Sequence, residues 1–169
     1  MYKYAPNVNI IHCPADIRIN YPATDVRCCF DTYSGMSWLN APADFPTNYL
    51  KKRGQLLTPA MRFLYAEGDD LRGSNIGSWG FRGGTAANYF TDSTWWDSPA
   101  AFHAKNSATW SFADGHAELH RWQNGATIAF ALDQTPQKDG VTVPTYSAAN
   151  LSKDDLAWVG MRYPSPPNP

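Results

Sequence analysis

Hydrophobic and polar positions alternate most regularly on either side of Asp114-Gly115, in "SFADGHAELHRW" (Ser111 to Trp122). Two alternating runs joined by Asp-Gly predict a β-hairpin with a two-residue turn, because glycine and, less readily, Asp accept positive φ. That turn would pair Ala113 with His116, Phe112 with Ala117, Ser111 with Glu118, Trp110 with Leu119 and Thr109 with His120. Trp110, Phe112, Ala117 and Leu119 then form an apolar face. Thr109, Ser111, His116, Glu118 and His120 form a polar one.

Shorter strands are expected at Asn9 to His12, ending at Cys13-Pro14, at Val26 to Phe30 and at Gly35 to Leu39. Met61 to Ala66, "MRFLYA", reads as another, beginning after the Thr58-Pro59 break. The prolines of "NAPADFPTN" forbid regular pairing there. One helix is expected, in "SKDDLAWVGMR", with Ser152 as N-cap and Asp155 as its capping-box partner. Leu156, Val159 and either Met161 or Tyr163 would face the domain. The closing "PSPPNP" reads as a stiff extended tail.

The 169 residues suffice for one domain with a real core. Abundant Asp, Asn, Gly and Pro suit turns, and seven Trp with nine Tyr favour strands. The expectation is an α+β, mainly antiparallel β domain at 1–163, followed by the tail at 164–169. The net charge is −1 and no basic stripe is present, which argues against nucleic acid. The longest apolar run, "TIAFAL", falls well below the roughly 20 residues of a membrane helix.

Cys13, Cys28 and Cys29 allow one disulfide, Cys13 with Cys28 or Cys29, in an oxidising compartment; three free buried thiols are the alternative. They lack the close spacing of a four-ligand zinc site. Cys13 beside His12 is no nucleophile pair, because strand neighbours point apart. The Gly-rich stretch from Gly68 to Gly84 has no GK[ST], so it is not a P-loop. Glu67, Asp69, Asp70 and Asn75 could form an oxygen-rich calcium site, against the plainer reading of a solvated acidic loop.

His116, Glu118 and His120 recur at period two, and two His with a carboxylate is a metal-ligating set. On one strand face, however, the outer two would stand about 13 Å apart, so an ion would need His103 or another strand. The plainer reading is a solvated or subunit-facing outer face, from which both histidines could be removed with the fold nearly intact. His103 is expected to bond back to the turn at Asp114, or to a nearby carbonyl, or to remain an ordinary half-exposed histidine.

The segment "FHAKNSATWSFADGHAELHRW" resembles the C-terminal motif of prepilin-type, type II secretion pseudopilin-like proteins that carry the processing-associated H-x9-DG domain. Its motif positions here are His103, Phe112, Ala113, Asp114, Gly115 and His116. "HCPAD", with Cys13, Pro14 and Asp16, is similar to the family's Cys-Pro-Ser/Ala-Asp segment. "TYSGMSWLN", "FLYAEGDDLRGSNIGSW", "WWDSPAAFH" and "DDLAWVGMR" follow in family order. One departure is local: ten residues separate His103 from Asp114 instead of nine. The extra residue is expected in the loop at Ala104 to Ser107, or as a bulge.

The second departure is that these 169 residues do not include the family's basic leader and long apolar helix. The resemblance therefore implies the globular head alone. It implies a pilin-like, non-catalytic structural subunit of a type II secretion or pilus-like filament. Its partners would be other pilin-like subunits, with membrane contact only through that N-terminal helix. Its location would be periplasmic or cell-surface, with inner-membrane anchoring before assembly. No cofactor is implied beyond the calcium that heads of major pseudopilins hold.

Two competing readings predict different structures. A secreted carbohydrate-binding module would expose tryptophans such as Trp95 and Trp96. A small metal-dependent enzyme would bring at least three of His103, His116, Glu118 and His120 together.

Overall fold

The computed structural model describes residues 6–37, 39, 50–69, 71, 78–82, 94–95, 97–133 and 153–164. The fold is α+β and mainly sheet. Seven strands run Tyr33–Met36 (β1), Phe63–Glu67 (β2), Ser78–Trp79 (β3), Phe81–Arg82 (β4), Thr94–Trp95 (β5), Ser107–Phe112 (β6) and Ala117–Arg121 (β7). Two helices follow, Gly125–Leu132 (α1) and Lys153–Arg162 (α2). Five strands make a mixed sheet in the order β3-β1-β2-β6-β7, and β4 and β5 pair separately. Within the larger sheet only β1 and β3 are parallel.

Two expected strands are absent, for local reasons. Val8–Ile11 is a 3-10 turn, because the Asn7 side chain accepts the Asn9 N–H at 2.9 Å and caps it. From Pro22 to Cys28 the chain turns instead of extending. Asp25 N–H reaches Pro22 O, Cys28 N–H reaches Asp25 O, and the Asp25 carboxylate accepts from the Arg27 N–H. The strand expected from Gly35 lies at Tyr33–Met36, and Leu39 only bridges Leu50. The strand expected from Met61 begins at Phe63, since Pro59–Met61 is itself a 3-10 turn.

The β6–β7 connection differs from expectation by one residue. Ser111 pairs with Ala117, Trp110 with Glu118, Thr109 with Leu119 and Ala108 with His120. Phe112 N–H donates to His116 O at 2.9 Å and Gly115 N–H to Phe112 O at 3.0 Å, so the loop holds three residues. Among the described non-glycine residues only Thr58, Lys105 and Asn106 have positive φ; Asp114 does not, while Gly115 stands at φ 103. That is the turn-plus-left-handed-glycine solution for a three-residue loop. A one-residue slip turns every side chain of the second strand over. Leu119 is therefore 63% exposed, and His116, Glu118 and His120 share the face of Ala108, Trp110 and Phe112. The expected polar outer face does not exist.

That shared face carries the core. Trp110 lies at its centre, edge-on to Trp79 (5.2 Å), Trp122 (6.0 Å) and Trp158 (5.5 Å), and tilted against Phe63 (4.3 Å). Such aromatic pairs each contribute about 0.5–1.5 kcal/mol beyond burial alone. Two buried indole N–H groups find partners, Trp122 Nε1 donating to Ala100 O at 2.7 Å and Trp79 Nε1 to Ser98 O at 3.2 Å, whereas those of Trp95 and Trp110 have none among the described residues and face other rings. Phe130 and Ala131 of α1 and Leu156, Val159 and Tyr163 from the α2 segment close the layer.

The second helix follows its predicted face, with Tyr163 inward and Met161 exposed. The first helix was not expected. Its run "TIAFAL" is too uniformly apolar to announce a period, and Asn124 supplies the cap by accepting from the Ala126 N–H at 2.7 Å. The expected capping-box pairing of Asp155 with Ser152 lies outside the described residues. Asp155 itself is buried and accepts the Gln123 and Asn124 N–H groups at 3.1 and 3.0 Å, tying α2 to the start of α1. The proposed cap Ser152 lies outside the described residues, as does the tail beyond Pro164. Among the described residues no helix is long and apolar enough to cross a membrane.

Candidate functional site: a Cys–Glu–His cluster at the sheet edge

Three segments distant in sequence meet beside the end of β2. Glu67 is its last residue and is fully buried. Its Oε2 accepts the Thr109 N–H of β6 at 2.6 Å, extending the cross-strand bonding just past Ala66 and Trp110. Its Oε1 lies 2.9 Å from His103 Nε2. The same His103 nitrogen lies 3.7 Å from Cys13 Sγ and 3.5 Å from Thr109 Oγ1. One ligand-type atom from each of Cys13, Glu67 and His103 falls within 4.8 Å of the others.

The sequence builds this convergence locally. His103 is held by a backbone bridge to Ser107, closed by Lys105 and Asn106 at φ 61 and 55. Two successive left-handed residues make the loop tight. It lies where the extra residue between His103 and Asp114 was expected. Cys13 sits where its N–H donates to Thr32 Oγ1 at 3.0 Å. Thr32 Oγ1 in turn donates to Asp16 Oδ2 at 2.7 Å, and Asp16 holds Arg18 in a buried pair, with Nη2 at 2.7 Å. Arg18 also donates to Asp31 O at 3.0 Å and lies 3.6 Å from Asp69. This network fastens the segment around Cys13 to the sheet.

Burial pushes the Cys13 thiol up from its ordinary range, and the Glu67 carboxylate raises it further. Tyr33, whose hydroxyl interacts with both Cys13 and Glu67, is pushed up to about 12, chiefly by burial and then by Glu67. A nucleophilic Cys–His–acid relay needs one imidazole nitrogen for the thiol and the other for the acid. Here Nε2 serves both, and the thiol is held protonated, so the geometry is not that of a cysteine nucleophile.

The other sequence-derived candidates are dispersed. His103 bonds neither to Asp114 nor to a carbonyl through its ring; it is tied to Glu67 instead. Asp114 is occupied by His116, whose Nδ1 stands at 2.6 Å and whose Nε2 reaches Glu118 at 3.4 Å. That Asp114 contact raises the His116 pKa above its ordinary value and lowers that of Asp114. His120 is mostly buried, stacked on Trp158 at 3.6 Å and edge-on to Trp122 at 4.8 Å, with Asp155 at 4.0 Å. The four proposed ligands His103, His116, Glu118 and His120 thus occupy three separate environments and do not converge on one ion.

For calcium, Asp70 and Asn75 lie outside the described residues. Glu67 and Asp69 are buried and engaged with His103 and Arg18, not displayed on a solvated loop. All three cysteines are free thiols, so neither Cys13–Cys28 nor Cys13–Cys29 is formed. Cys13 turns to His103, while Cys29 donates to Asp31 O at 3.4 Å. Of the motif residues, Phe112 is buried against Phe63, and Ala113 N–H donates to Arg62 O at 2.8 Å. Asp16 is buried and Pro14 exposed. Trp79, Trp95, Trp110 and Trp122 are buried and Trp158 is half-buried; Trp38 and Trp96 lie outside the described residues.

The sequence reading missed Glu67 as a hub, because it grouped that residue with the acids after it. Its position at the end of an alternating strand was the available signal. No family model matches the chain. No curated protein and no solved structure matches it either.

Proposed function

We propose that this chain is the globular head of a pseudopilin-like subunit, a non-catalytic building block of a type II secretion or pilus-like filament. The observation that carries this reading is how the motif residues are used. His103 ties the β6 approach to β2, Asp16 fastens the N-terminal segment, and Asp114 with Gly115 sets the turn before β7. Each joins one segment of the fold to another, as expected of residues that shape a head for packing against neighbours.

The buried tryptophans support this reading over a sugar-binding face, which needs exposed rings. The dispersed histidines support it over the His/Glu metalloenzyme. The partners in this reading are further pilin-like subunits at the cell surface or in the periplasm, anchored through an apolar helix ahead of the head. The test is the in-frame coding sequence upstream of Met1. A basic leader followed by roughly 20 apolar residues is the expected result; a stop codon close upstream, with no such segment, would overturn the reading.

A further inference from the structure

We propose that Cys13, Glu67 and His103 bind one zinc-type divalent cation that clamps the N-terminal segment onto the sheet. Thiolate, imidazole and carboxylate together are a borderline-soft donor set suited to zinc. The spacing fits. In a tetrahedral zinc site a sulfur and a nitrogen ligand stand about 3.6 Å apart, and Cys13 Sγ lies 3.7 Å from His103 Nε2. A nitrogen and an oxygen ligand would stand about 3.3 Å apart, against 2.9 Å between His103 and Glu67. Opening that contact by a few tenths of an ångström, with the Cys13 and Glu67 donor atoms brought to a similar separation from within 4.8 Å, replaces a hydrogen bond with metal bonds.

The surroundings already hold the ligands. The Thr109 N–H fixes Glu67 through the oxygen that His103 does not use, and Thr32 fixes the backbone of Cys13. Such outer contacts orient ligands and raise affinity. The Tyr33 hydroxyl interacts with both Cys13 and Glu67 and is placed to support either. His103 is 31% exposed along its side chain, whereas Glu67 is fully buried, so an ion would enter from the His103 side, with water as its fourth ligand. On binding, Cys13 gives up its proton to solvent; its thiolate and the Glu67 carboxylate then balance the charge of the ion. Residues 13, 67 and 103 are far apart in sequence, so the ion closes two long loops.

This inference does not depend on the filament reading. Its test is titration of the chelator-treated, reduced 169-residue protein with zinc and, separately, with cobalt(II) followed by near-ultraviolet and visible absorption. One equivalent of zinc should bind and raise Tm, and cobalt should show thiolate charge transfer with tetrahedral ligand-field bands. Cys13→Ser and His103→Gln should each weaken binding tenfold or more. Near-ultraviolet circular dichroism of the tryptophan core verifies that each variant is folded. Glu67→Gln, buried and bonded to Thr109, is the variant that could fail to fold, and Cys13→Ser and His103→Gln decide without it. Absence of stoichiometric binding to folded wild-type protein would overturn the proposal. So would a cobalt complex lacking the thiolate band, or unchanged affinity in both folded variants.

Discussion

The register of β7 can be tested with two neighbouring substitutions whose effects should be opposite in size. Leu119 is 63% exposed, on the outer side of the sheet. His120 keeps only 15% of its side-chain surface and lies flat on Trp158 at 3.6 Å. Losing a stacked aromatic partner costs about 0.5–1.5 kcal/mol beyond burial. Burial of a ring of this size adds about 1.5 kcal/mol, at the low end because imidazole is polar. His120→Ala should therefore cost about 2–3 kcal/mol in all. At about 2–4 °C per kcal/mol for a chain of this length, Tm should fall by about 4–12 °C. Leu119→Thr introduces a β-branched residue of good strand propensity at an exposed position, so its cost should stay within about 0.5 kcal/mol. The assay is urea and thermal unfolding of both variants, followed by tryptophan fluorescence. Under the register expected from a two-residue turn the ranking reverses, with Leu119 in the core and His120 in water. A larger loss for Leu119→Thr than for His120→Ala would refute the observed register.

Gly115 stands at φ 103 with no atom within 4 Å of where a Cβ would sit, so Gly115→Val should lose about 1–3 kcal/mol through backbone strain alone; unchanged Tm would contradict the three-residue turn. The His116 pKa, followed by proton NMR, should lie above about 6.5 and fall in Asp114→Asn. Because His116 is raised and Asp114 lowered in the folded state, their mutual stabilisation is complete only between about pH 4 and 6.5. It fades on the alkaline side as His116 loses its proton and on the acid side as Asp114 gains one; a His116 titration indifferent to Asp114→Asn would count against the contact. Thiol titration in denaturant without reductant should find three reactive groups, and in native buffer half-exposed Cys28 should react ahead of buried Cys13 and Cys29. A single thiol in denaturant would restore the disulfide.

Much of the class of fold could be read from residue pattern. Alternation in "MRFLYA" and "SATWSF" places β2 and β6 within a few residues, and the inward face of α2 follows from Leu156, Val159 and Tyr163 at helical spacing. These signals are local, since each depends on period and on the difference between apolar and polar side chains. The failures were also physical. At Asn7 and Asp25 side-chain hydrogen bonds to nearby backbone N–H groups diverted an apolar stretch from strand to turn. "TIAFAL" carries no period to read because Ala129 and Leu132, on its exposed side, are as apolar as the buried Phe130 and Ala131.

The largest difference arose at one turn. Asp-Gly suits both a two-residue and a three-residue loop, and the local preference between them is small. Tertiary packing settled the choice: the observed register sets His120 against Trp158 and Trp122. A slip of one residue would have put Leu119 there instead. The Cys13, Glu67 and His103 cluster could not be read from sequence for a related reason. By itself the sequence determined the strand periods, the turn residues and the donor chemistry of each side chain. Only the tertiary structure decided which donors met, because residues this far apart in sequence come within 4.8 Å only after β2, β6 and the N-terminal segment have packed.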